Sequence, residues 1–464
     1  MKGVIFLSCL PKSLSGSKCL LLGFGRSNIA LAKWLINNGA SVTVADENKA
    51  EEKIFSDAEK EGCGYVEIYR ENERYKPNFV FRTPGISPYS NAVTEWTKNG
   101  AVLSSETELF FERAKGKIYG ITGSDGKTTT TTITGKILEK AFENTGKRVF
   151  VGGNIGTPLV SFLDTLTEND VTVTELSSFQ LMTMERSPNV AAITNITENH
   201  LDYHRDMNEY VDAKRRIYSG DGCGELVTDT ETFSLLKNKY LSEESHCFPG
   251  KITELSTCAD NTDIYFKDGG IYLYGKKCLS VADIKVPGFH NVQNYMTAIG
   301  ITKNDAIFSD IQMVSESFSG AEHRMEFVRS LNGVSFYNSS IDSTPSRSVV
   351  TLKCFEKPLT VICGGYDKHL DYREFAAELL RRADNAIVTG ASAGVIKKAI
   401  EKQDSSGQNC NIYYENDFEK AVCLAAEITK EGGRVLLSPA SASFDCFENF
   451  EQRGRMFKKI VNTL

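Results

Sequence analysis

The sequence lacks several features that would place it in a specialised class of protein. No run of 18 apolar residues occurs among its 464 residues, so no segment is expected to span a membrane. The twelve cysteines include no Cys-x-x-Cys spacing, which argues against a zinc site or a disulfide framework and favours reduced thiols in the cytoplasm. A net charge of −7 argues against binding of nucleic acid by bulk charge.

The composition that remains is typical of a soluble globular protein, with 41% hydrophobic and 24% charged residues. A chain of this length exceeds one ordinary core, so about three domains are expected. We predict that they comprise residues 1–113, 114–320 and 321–464. The apolar run within residues 1–9 is too short for a secretory signal, and we interpret it as a strand or a loose extension.

The segment Lys117–Thr129 has the pattern of a buried strand, a glycine turn and a helix start. Gly123 and Gly126 have no Cβ, so backbone N–H groups of the turn can point inward and favour a polyanion. Lys127 is then a candidate for binding β- and γ-phosphates, and Thr128 for binding Mg²⁺. The outer glycine of the usual phosphate-loop pattern is absent. The alternative is a structural turn followed by a surface lysine.

Two further predicted strands end in residues that suit the same site. The strand Val171–Thr174 delivers Glu175, a candidate Mg²⁺ ligand, and the strand Val190–Thr194 leads to His200. Because the carboxyl ends of parallel strands share one crevice, we expect Lys127, Glu175 and His200 to converge. The alternatives are a solvated carboxylate at a strand end and a structural histidine.

The N-terminal segment has a βαβ pattern that could bind a ribose. A strand and glycine turn at residues 18–25, a helix at 28–38 and a strand at 41–45 deliver Asp46 about 20 positions after the glycines. Asn28 stands where the dinucleotide fingerprint has its third glycine. Nucleotide binding and plain α/β packing therefore both remain open from these residues.

The middle of the chain gives less specific patterns. A helix at residues 209–218 carries Lys214, which from its local sequence belongs to a solvated basic face. Residues 221–288 contain short alternating segments that favour β-hairpins appended to a sheet. A helix begins within residues 287–294, where the amide side chains are either caps or nucleotide contacts.

The C-terminal segment alternates strands with helical patterns, as in a doubly wound fold. The predicted strands are Val334–Tyr337, Leu359–Cys363, Ala386–Thr389, Asn411–Tyr414 and Arg434–Leu437. The fold class is therefore α/β with three domains. We expect Rossmann-like N- and C-terminal domains and a central, mainly parallel sheet of the P-loop ATPase type with appended hairpins.

Eight motifs, spread from the phosphate loop to the C-terminus, carry a resemblance to a known family. They are Thr122–Thr129, Gly153–Gly156, Glu175–Gln180, Asn195–His200, Ala213–Tyr218, His323–Arg324, Leu437–Asp445 and Asn449–Gly454. Together they resemble the Mur ligase family along nearly the whole chain, and the last two resemble its D-glutamate-adding branch. The resemblance implies a monomeric cytoplasmic ligase of peptidoglycan synthesis. It would use ATP and Mg²⁺ to join D-glutamate to UDP-N-acetylmuramoyl-L-alanine through an acyl phosphate.

The resemblance also implies a role for individual residues. Catalytic roles fall on Lys127, His200 and Lys214, and metal binding on Thr128, Glu175, His200 and a carbamylated Lys214. ATP binding falls on Gly123, Ser124, Asp125, Gly126, Lys127, Thr128, Thr129, Asn294 and Arg324. The uridine nucleotide would bind Ser27, Asp46, Pro84 and Gly85, the muramoyl-alanine Asn154, and D-glutamate Lys368, Ser443 and Phe450.

Two departures from the family leave other interpretations open. Where a common version has Asn-Asp-Ser-Lys, residues 338–341 are Asn-Ser-Ser-Ile, so that Asp342 or Arg347 would have to compensate or the contacts would be rebuilt. Asn199 stands where an acidic residue often precedes the histidine. A family ligase for another amino acid and an inactive nucleotide-binding relative are the alternatives. A dehydrogenase would rest on the first glycine turn alone.

Overall fold

The described part of the chain forms three mainly parallel sheets. A computed structural model describes residues 10–46, 56, 58–67, 75–201, 203–240, 250–404 and 409–464, so the strand or extension expected at residues 1–9 lies outside it. The sheets have five, nine and six strands. The chain divides into two compact units, of which one comprises Met1–Val281 with Val292–Val314 and the other Ala282–Asn291 with Ser315–Leu464. The expected α/β class is confirmed.

The first sheet is an open parallel sheet with strand order β3-β2-β1-β4-β5. Its strands are β1 Lys18–Leu22, β2 Ser41–Asp46, β3 Gly64–Glu67, β4 Phe79–Arg82 and β5 Val102–Ser104, and its helices are Arg26–Asn37, Asn91–Thr97 and Glu106–Arg113. The first helix buries Leu31 and Leu35, which are four residues apart and share one face. Such a sheet, with buried apolar strands and crossover helices, is the expected Rossmann-like arrangement.

The second sheet has the order β14-β13-β12-β11-β10-β9-β6-β8-β7. Its strands are β6 Lys117–Thr122, β7 Val149–Gly153, β8 Val171–Glu175, β9 Val190–Ile193, β10 Glu225–Asp229, β11 Lys251–Ser256, β12 Ile264–Lys267, β13 Gly270–Leu273 and β14 Lys276–Ser280. The intervening and following helices are Lys127–Ala141, Ser178–Leu181, Met207–Ser219, Thr230–Tyr240, Phe289–Thr302 and Phe308–Ser317, with 3-10 turns at Leu159–Phe162 and Val281–Asp283.

The expected hairpins are present in only part of residues 221–288. Strands β12, β13 and β14 pair antiparallel, as predicted. Strands β10 and β11 instead pair in parallel across the helix Thr230–Tyr240, so the prediction is wrong there. Short alternating strands look alike in both arrangements, and only the intervening helix provides a crossover long enough for a parallel pair.

Strands β9, β6 and β8 are neighbours, which brings the ends of these strands to one edge of the sheet. Ile121 of β6 pairs with Glu175 of β8, and Thr122 pairs with Ile193 of β9. The segments that follow these strands therefore start side by side, at the edge where open α/β sheets bind their ligands.

The third sheet, in the second unit, has the order β15-β16-β20-β17-β18-β19. Its strands are β15 Glu326–Leu331, β16 Val334–Asn338, β17 Leu359–Gly364, β18 Asn385–Thr389, β19 Asn411–Tyr414 and β20 Arg434–Leu437, and its helices are Pro345–Leu352, Arg373–Arg382, Ala393–Gln403, Phe418–Ile428 and Phe450–Thr463. The five predicted strands are confirmed as a parallel set, and β15 adds an antiparallel edge. Among the described helices of the whole chain, none is long and apolar enough to cross a bilayer.

Candidate active site

The turn after β6 is shaped by two glycines and by the strand beside it. Gly123 and Gly126 have φ angles of 149° and 77°, conformations that residues with a Cβ seldom adopt. The backbone N–H groups of Ser124 and Asp125 donate to the main-chain and side-chain oxygens of Asn195, both at 2.9 Å. Two N–H groups of the turn thus hold the turn in place instead of pointing at a ligand, which corrects part of the expectation.

The backbone groups that remain available to an anion belong to the helix Lys127–Ala141, whose first turn follows Gly126. N–H groups in the first turn of a helix have no acceptor within that helix, and the helix dipole adds positive potential there. Thr128 and Thr129 lie in this first turn. The helix N-terminus and the lysine that opens it are therefore suited to bind an anion.

The side-chain nitrogens of two lysines meet on one carbonyl oxygen of the turn. Lys127 Nζ donates to Gly123 O at 2.9 Å and to Ser124 O at 2.8 Å, while Lys214 Nζ donates to Gly123 O at 2.6 Å. Lys214 is almost completely buried, so its assignment from local sequence to a solvated face is wrong. Burial and then the charge of Lys127 lower the pKa of Lys214 well below its usual value, which favours the neutral amine.

Sequence reasoning missed Tyr210, which contacts Lys214 and Ser124. Its hydroxyl lies 2.9 Å from Ser124 Oγ, and its ring centroid lies 4.6 Å from Lys214 Nζ. Tyr210 precedes Lys214 by four residues in the helix Met207–Ser219 and so shares its face. That spacing is the signal that could have identified it.

Glu175, the last residue of β8, is buried at the neighbouring strand end and is not a solvated carboxylate. Its Oε1 accepts a hydrogen bond from Asn154 Nδ2 at 2.7 Å, whereas Oε2 is buried and has no hydrogen-bond partner in the described part of the chain. The charge of Glu175 also opposes the lowering of the Lys214 pKa, so the two side chains interact. A buried carboxylate oxygen without a donor is suited to a cation.

His200 follows β9 and lies on the same side of the site, although its side chain is exposed. Its ring centroid lies 5.0 Å from that of Phe179 and 6.5 Å from that of Tyr210, the tyrosine that contacts Lys214. Within the described ranges, no group of three or more His, Cys, Asp and Glu side chains is arranged to hold a metal ion.

Asn294, on the helix Phe289–Thr302, contacts the phosphate loop. Its Oδ1 accepts a hydrogen bond from Thr130 Oγ1 at 3.2 Å, and a Cβ at Gly126 would overlap the same oxygen. The neighbouring Asn291 instead donates from Nδ2 to Pro287 O at 2.7 Å, which is a local contact at the helix start. Asn291 therefore makes the capping contact that was one alternative for this segment, and the nucleotide contact of Asn294 stays a prediction.

The predicted uridine-binding residues lie at the ends of β1, β2 and β4, which are neighbours in the first sheet. Asp46 Oδ2 accepts the backbone N–H of Phe24 at 2.9 Å, and Ser27 lies in the first turn of the following helix. Asn28 is buried and donates from Nδ2 to Gly23 O at 2.8 Å. The side-chain amide of Asn28, which stands in place of the third glycine, therefore stabilises the glycine turn by a hydrogen bond.

Pro84 and Gly85 lie in the turn that follows β4 in the same sheet. The backbone N–H of Ile86 closes this turn on Thr83 O at 3.0 Å. Pro84 O accepts a hydrogen bond from the Tyr203 hydroxyl, also at 3.0 Å. The turn is therefore held both by its own backbone and by the segment that follows β9.

In the second unit, Lys368 and Ser443, which are predicted to lie near an amino acid, occupy two loops at strand ends, whereas Phe450 begins the helix Phe450–Thr463. Lys368 Nζ lies 5.6 Å from the ring centroid of Phe444, the neighbour of Ser443. Phe450 O accepts a hydrogen bond from Ser340 Oγ at 2.8 Å, and the Phe450 ring lies 6.2 Å from the His323 ring. The loops that follow β17 and β20 thus place Lys368 and Ser443 in the same neighbourhood.

The unusual loop at residues 338–342 retains an acidic group. Asp342 is buried, and its Oδ2 accepts a hydrogen bond from Ser438 Oγ at 2.8 Å. Burial raises the pKa of Asp342, while hydrogen bonds and the charge of Arg324 lower it. Asp342 is thus a buried carboxyl group of this loop and Arg347 is exposed, and compensation for Ser339 stays a prediction.

Comparisons with known proteins connect this site to one family. The model of the Mur ligase middle domain matches residues 121–302, and that of the Mur ligase glutamate ligase domain matches residues 323–441. UDP-N-acetylmuramoylalanine–D-glutamate ligase of Clostridium perfringens is 40% identical over 97% of this chain and 98% of its own length. The ligase of the same name from Clostridium botulinum is 41% identical over 96% of both chains. The crystal structure of UDP-N-acetylmuramate-alanine ligase from Thermotoga maritima matches with a TM-score of 0.56 and 19% identity, over 96% of this chain and 99% of that one, which supports the fold.

Proposed function

Since the chain belongs to the Mur ligase family, we propose that it joins the amine of D-glutamate to the carboxylate of UDP-N-acetylmuramoyl-L-alanine and converts ATP into ADP and phosphate. The choice of D-glutamate is supported by the full-length similarity to relatives named as D-glutamate ligases. The observation that carries the chemistry is the phosphate loop, where Lys127 and Lys214 meet on Gly123 O beside the buried Glu175.

A carboxylate is a poor electrophile, so an amide forms only after activation. The carboxylate of the alanyl group attacks the γ-phosphate of ATP, which gives an acyl phosphate and ADP. The amine of D-glutamate then attacks the activated carbonyl carbon, and phosphate leaves from the tetrahedral intermediate. At 4 Å, two unit negative charges repel each other by about 4 kcal/mol at an effective dielectric of 20. Lys127 and the helix N-terminus offset this repulsion.

Mg²⁺ fits the site because Glu175 has a buried oxygen without a donor and Thr128 has its hydroxyl in the first turn of the helix. These two residues would hold the ion, together with His200 and a modified Lys214. A bound Mg²⁺ neutralises phosphate charge and helps to orient the transferring group. Asn154 orients Glu175 through its 2.7 Å hydrogen bond and is also the proposed contact to the muramoyl-alanine.

Lys214 is the proposed site of a carbamate. The neutral amine attacks CO₂, a C–N bond forms, the nitrogen releases one proton, and the uncharged amine becomes an anionic carbamate. Burial beside the charge of Lys127 favours the neutral amine that this reaction requires. The carbamate would give Lys127 a neighbour of opposite charge and supply a further ligand for Mg²⁺.

We also propose a division of labour among residues 1–113, 114–320 and 321–464, which would bind the UDP-linked acid, ATP and the incoming amino acid. The ends of β1, β2 and β4 carry the residues proposed for the uridine nucleotide, and the phosphate loop carries those for ATP. Lys368, Ser443 and Phe450, with Arg324 as a nucleotide contact, lie in the second unit. A cytoplasmic monomer belongs to the same proposal.

The decisive experiment measures ATP-dependent coupling of radiolabelled D-glutamate to UDP-N-acetylmuramoyl-L-alanine by the purified protein. We expect labelled product, with phosphate released only when both substrates are present. A panel with L-alanine, L-lysine, diaminopimelate and a folate substrate identifies a family ligase of different specificity. No phosphate release with any member of the panel would favour the inactive relative, and absence of NAD(P)H oxidation removes the dehydrogenase.

A further inference from the structure

A buried arginine at the end of β4 has no part in the function described so far. Arg82 is 1% exposed and belongs to the largest fully buried side chains of the protein. Burial lowers the pKa of Arg82, yet a guanidinium group remains charged in proteins. Burying such a charge is costly unless it is well hydrogen-bonded, so the contacts of Arg82 need to be explained.

These contacts join the first sheet to the second. Arg82 Nη1 donates to Ile86 O at 3.1 Å, and Nη2 donates to Phe179 O at 2.8 Å and to Thr183 Oγ1 at 3.3 Å. Ile86 closes the turn that contains the proposed uridine-binding residues, while Phe179 and Thr183 follow Glu175 along the chain. We name Arg82, Ile86, Phe179 and Thr183 the Arg82 clamp.

A second set of contacts runs between the same two regions. The Phe179 ring lies 5.0 Å from the His200 ring and 4.2 Å from the Tyr203 ring, measured between centroids. The Tyr203 hydroxyl donates to Pro84 O at 3.0 Å. The turn at Pro84 is therefore tied to the His200 segment both through the Arg82 clamp and through Tyr203.

We propose that Arg82 is a positioning residue that couples the turn at residues 84–86 to the Glu175–His200 side of the phosphate site. This inference rests on the proposed function, because it takes the turn to bind the UDP-linked acid. A ligand that fixes the turn also fixes Phe179 through Arg82, and thereby the segment against which His200 packs. Binding of the UDP-linked acid and of the nucleotide then favour each other by the same factor, as thermodynamic linkage requires.

The test measures the dissociation constant of UDP-N-acetylmuramoyl-L-alanine by calorimetry, with and without saturating ADP and Mg²⁺. In the wild-type protein we expect ADP to tighten binding by about fivefold or more. In Arg82→Met the factor should fall to nearly one, and in Arg82→Lys to an intermediate value, because one ammonium nitrogen replaces two separate donors. Absence of coupling in the wild type, or an unchanged factor in a folded Arg82→Met variant, would overturn the inference.

Steady-state kinetics provide a second test. A residue with a merely structural role would not change the kinetic constants for one substrate alone. For Arg82→Lys we expect a raised KM for the UDP-linked acid and a lowered kcat, with an unchanged KM for D-glutamate. Equal changes in all three constants would indicate general destabilisation and count against coupling. Tyr203→Phe deletes only the hydrogen bond to Pro84, so it tests the same connection if Arg82→Met fails to fold. We expect a reduced coupling factor in this variant.

Arg453 offers a matched control in the second unit. It is 2% exposed and donates from Nη1 to Ser441 O at 3.1 Å and from Nη2 to Ser340 O at 2.9 Å, so it too is a buried arginine bonded to backbone carbonyls. Arg453→Lys should leave the coupling factor at the wild-type value, and a loss like that of Arg82→Met would contradict us. Failure of the wild type to incorporate D-glutamate would refute the proposed function, whereas the binding measurement judges the coupling separately.

Discussion

Replacing Gly123 by alanine tests whether the shape of the phosphate loop sets the position of both lysines. Gly123 has a φ of 149°, and a Cβ there would overlap Thr194 Oγ1 and lie 3.1 Å from the Thr194 backbone nitrogen. The backbone strain costs about 1–3 kcal/mol, and the overpacking costs about as much again. We therefore expect Gly123→Ala to lose about 2–6 kcal/mol of stability and to melt at least about 5 °C below the wild type.

The same substitution should impair the use of ATP, because the Gly123 carbonyl accepts from both Lys127 and Lys214. We expect a raised KM for ATP and a lowered kcat in an assay of ADP formation. The double variant Gly123→Ala/Thr194→Ala removes the overlapping hydroxyl and should recover part of both losses, a coupling of about 0.5–3 kcal/mol in a double-mutant cycle.

The matched control for this substitution is Gly146→Ala. Gly146 has a φ of 75°, and nothing lies within 4 Å of the position of an added Cβ, so only the backbone cost of about 1 kcal/mol applies. Gly146→Ala should leave the KM for ATP unchanged. The reasoning fails if Gly123→Ala keeps the wild-type KM for ATP, or if the two substitutions in the double variant act additively.

Three further outcomes are expected. Lys127→Ala should lose about a hundredfold or more in the rate of ADP formation, because a phosphate contact is deleted; turnover near that of the wild type would contradict its role. Lys214→Ala should be inactive and partly recover with added acetate or formate, which replace the carbamate, whereas Lys127→Ala should not respond to them; full activity without rescue would count against the carbamate. Burial raises the pKa of Glu106 from 4.5 to about 7, so its contribution to stability is complete below pH 4.5 and is lost as the pH rises through 7. Urea unfolding at several pH values should show a loss that is about 3 kcal/mol larger in the wild type than in Glu106→Gln, because the similarly buried Glu108 titrates in both proteins, and parallel pH profiles would refute this.

Strands were the most predictable part of this fold. Asn411–Tyr414 and Arg434–Leu437 have the predicted bounds, because short runs of apolar residues between polar turns indicate strands. Helix starts were less certain, and the first helix begins at Arg26 instead of residue 28. Asn28 lies within the first turn of this helix, and its side chain donates a hydrogen bond back to Gly23 O.

The positions of site residues that directly follow a strand were predictable from the sequence. The positions of site residues on a helix were not, because they depend on which face of the helix is buried. Glu175 lies at the end of its strand as expected, because the order of strands in a parallel sheet fixes that position. Lys214 looked like part of a basic surface because its charged neighbours in sequence gave no sign of burial. Only the packing of the helix against the second sheet shows that its ammonium group reaches Gly123 O.

Asn195 has a consequence for the kinetics of nucleotide capture. Its two oxygens hold the N–H groups of Ser124 and Asp125, so the entropy of ordering this backbone is lost when the protein folds and not when a triphosphate arrives. Because this loop is already ordered, it needs no slow rearrangement after the nucleotide arrives. The association rate of the nucleotide is then governed by diffusion and electrostatic attraction.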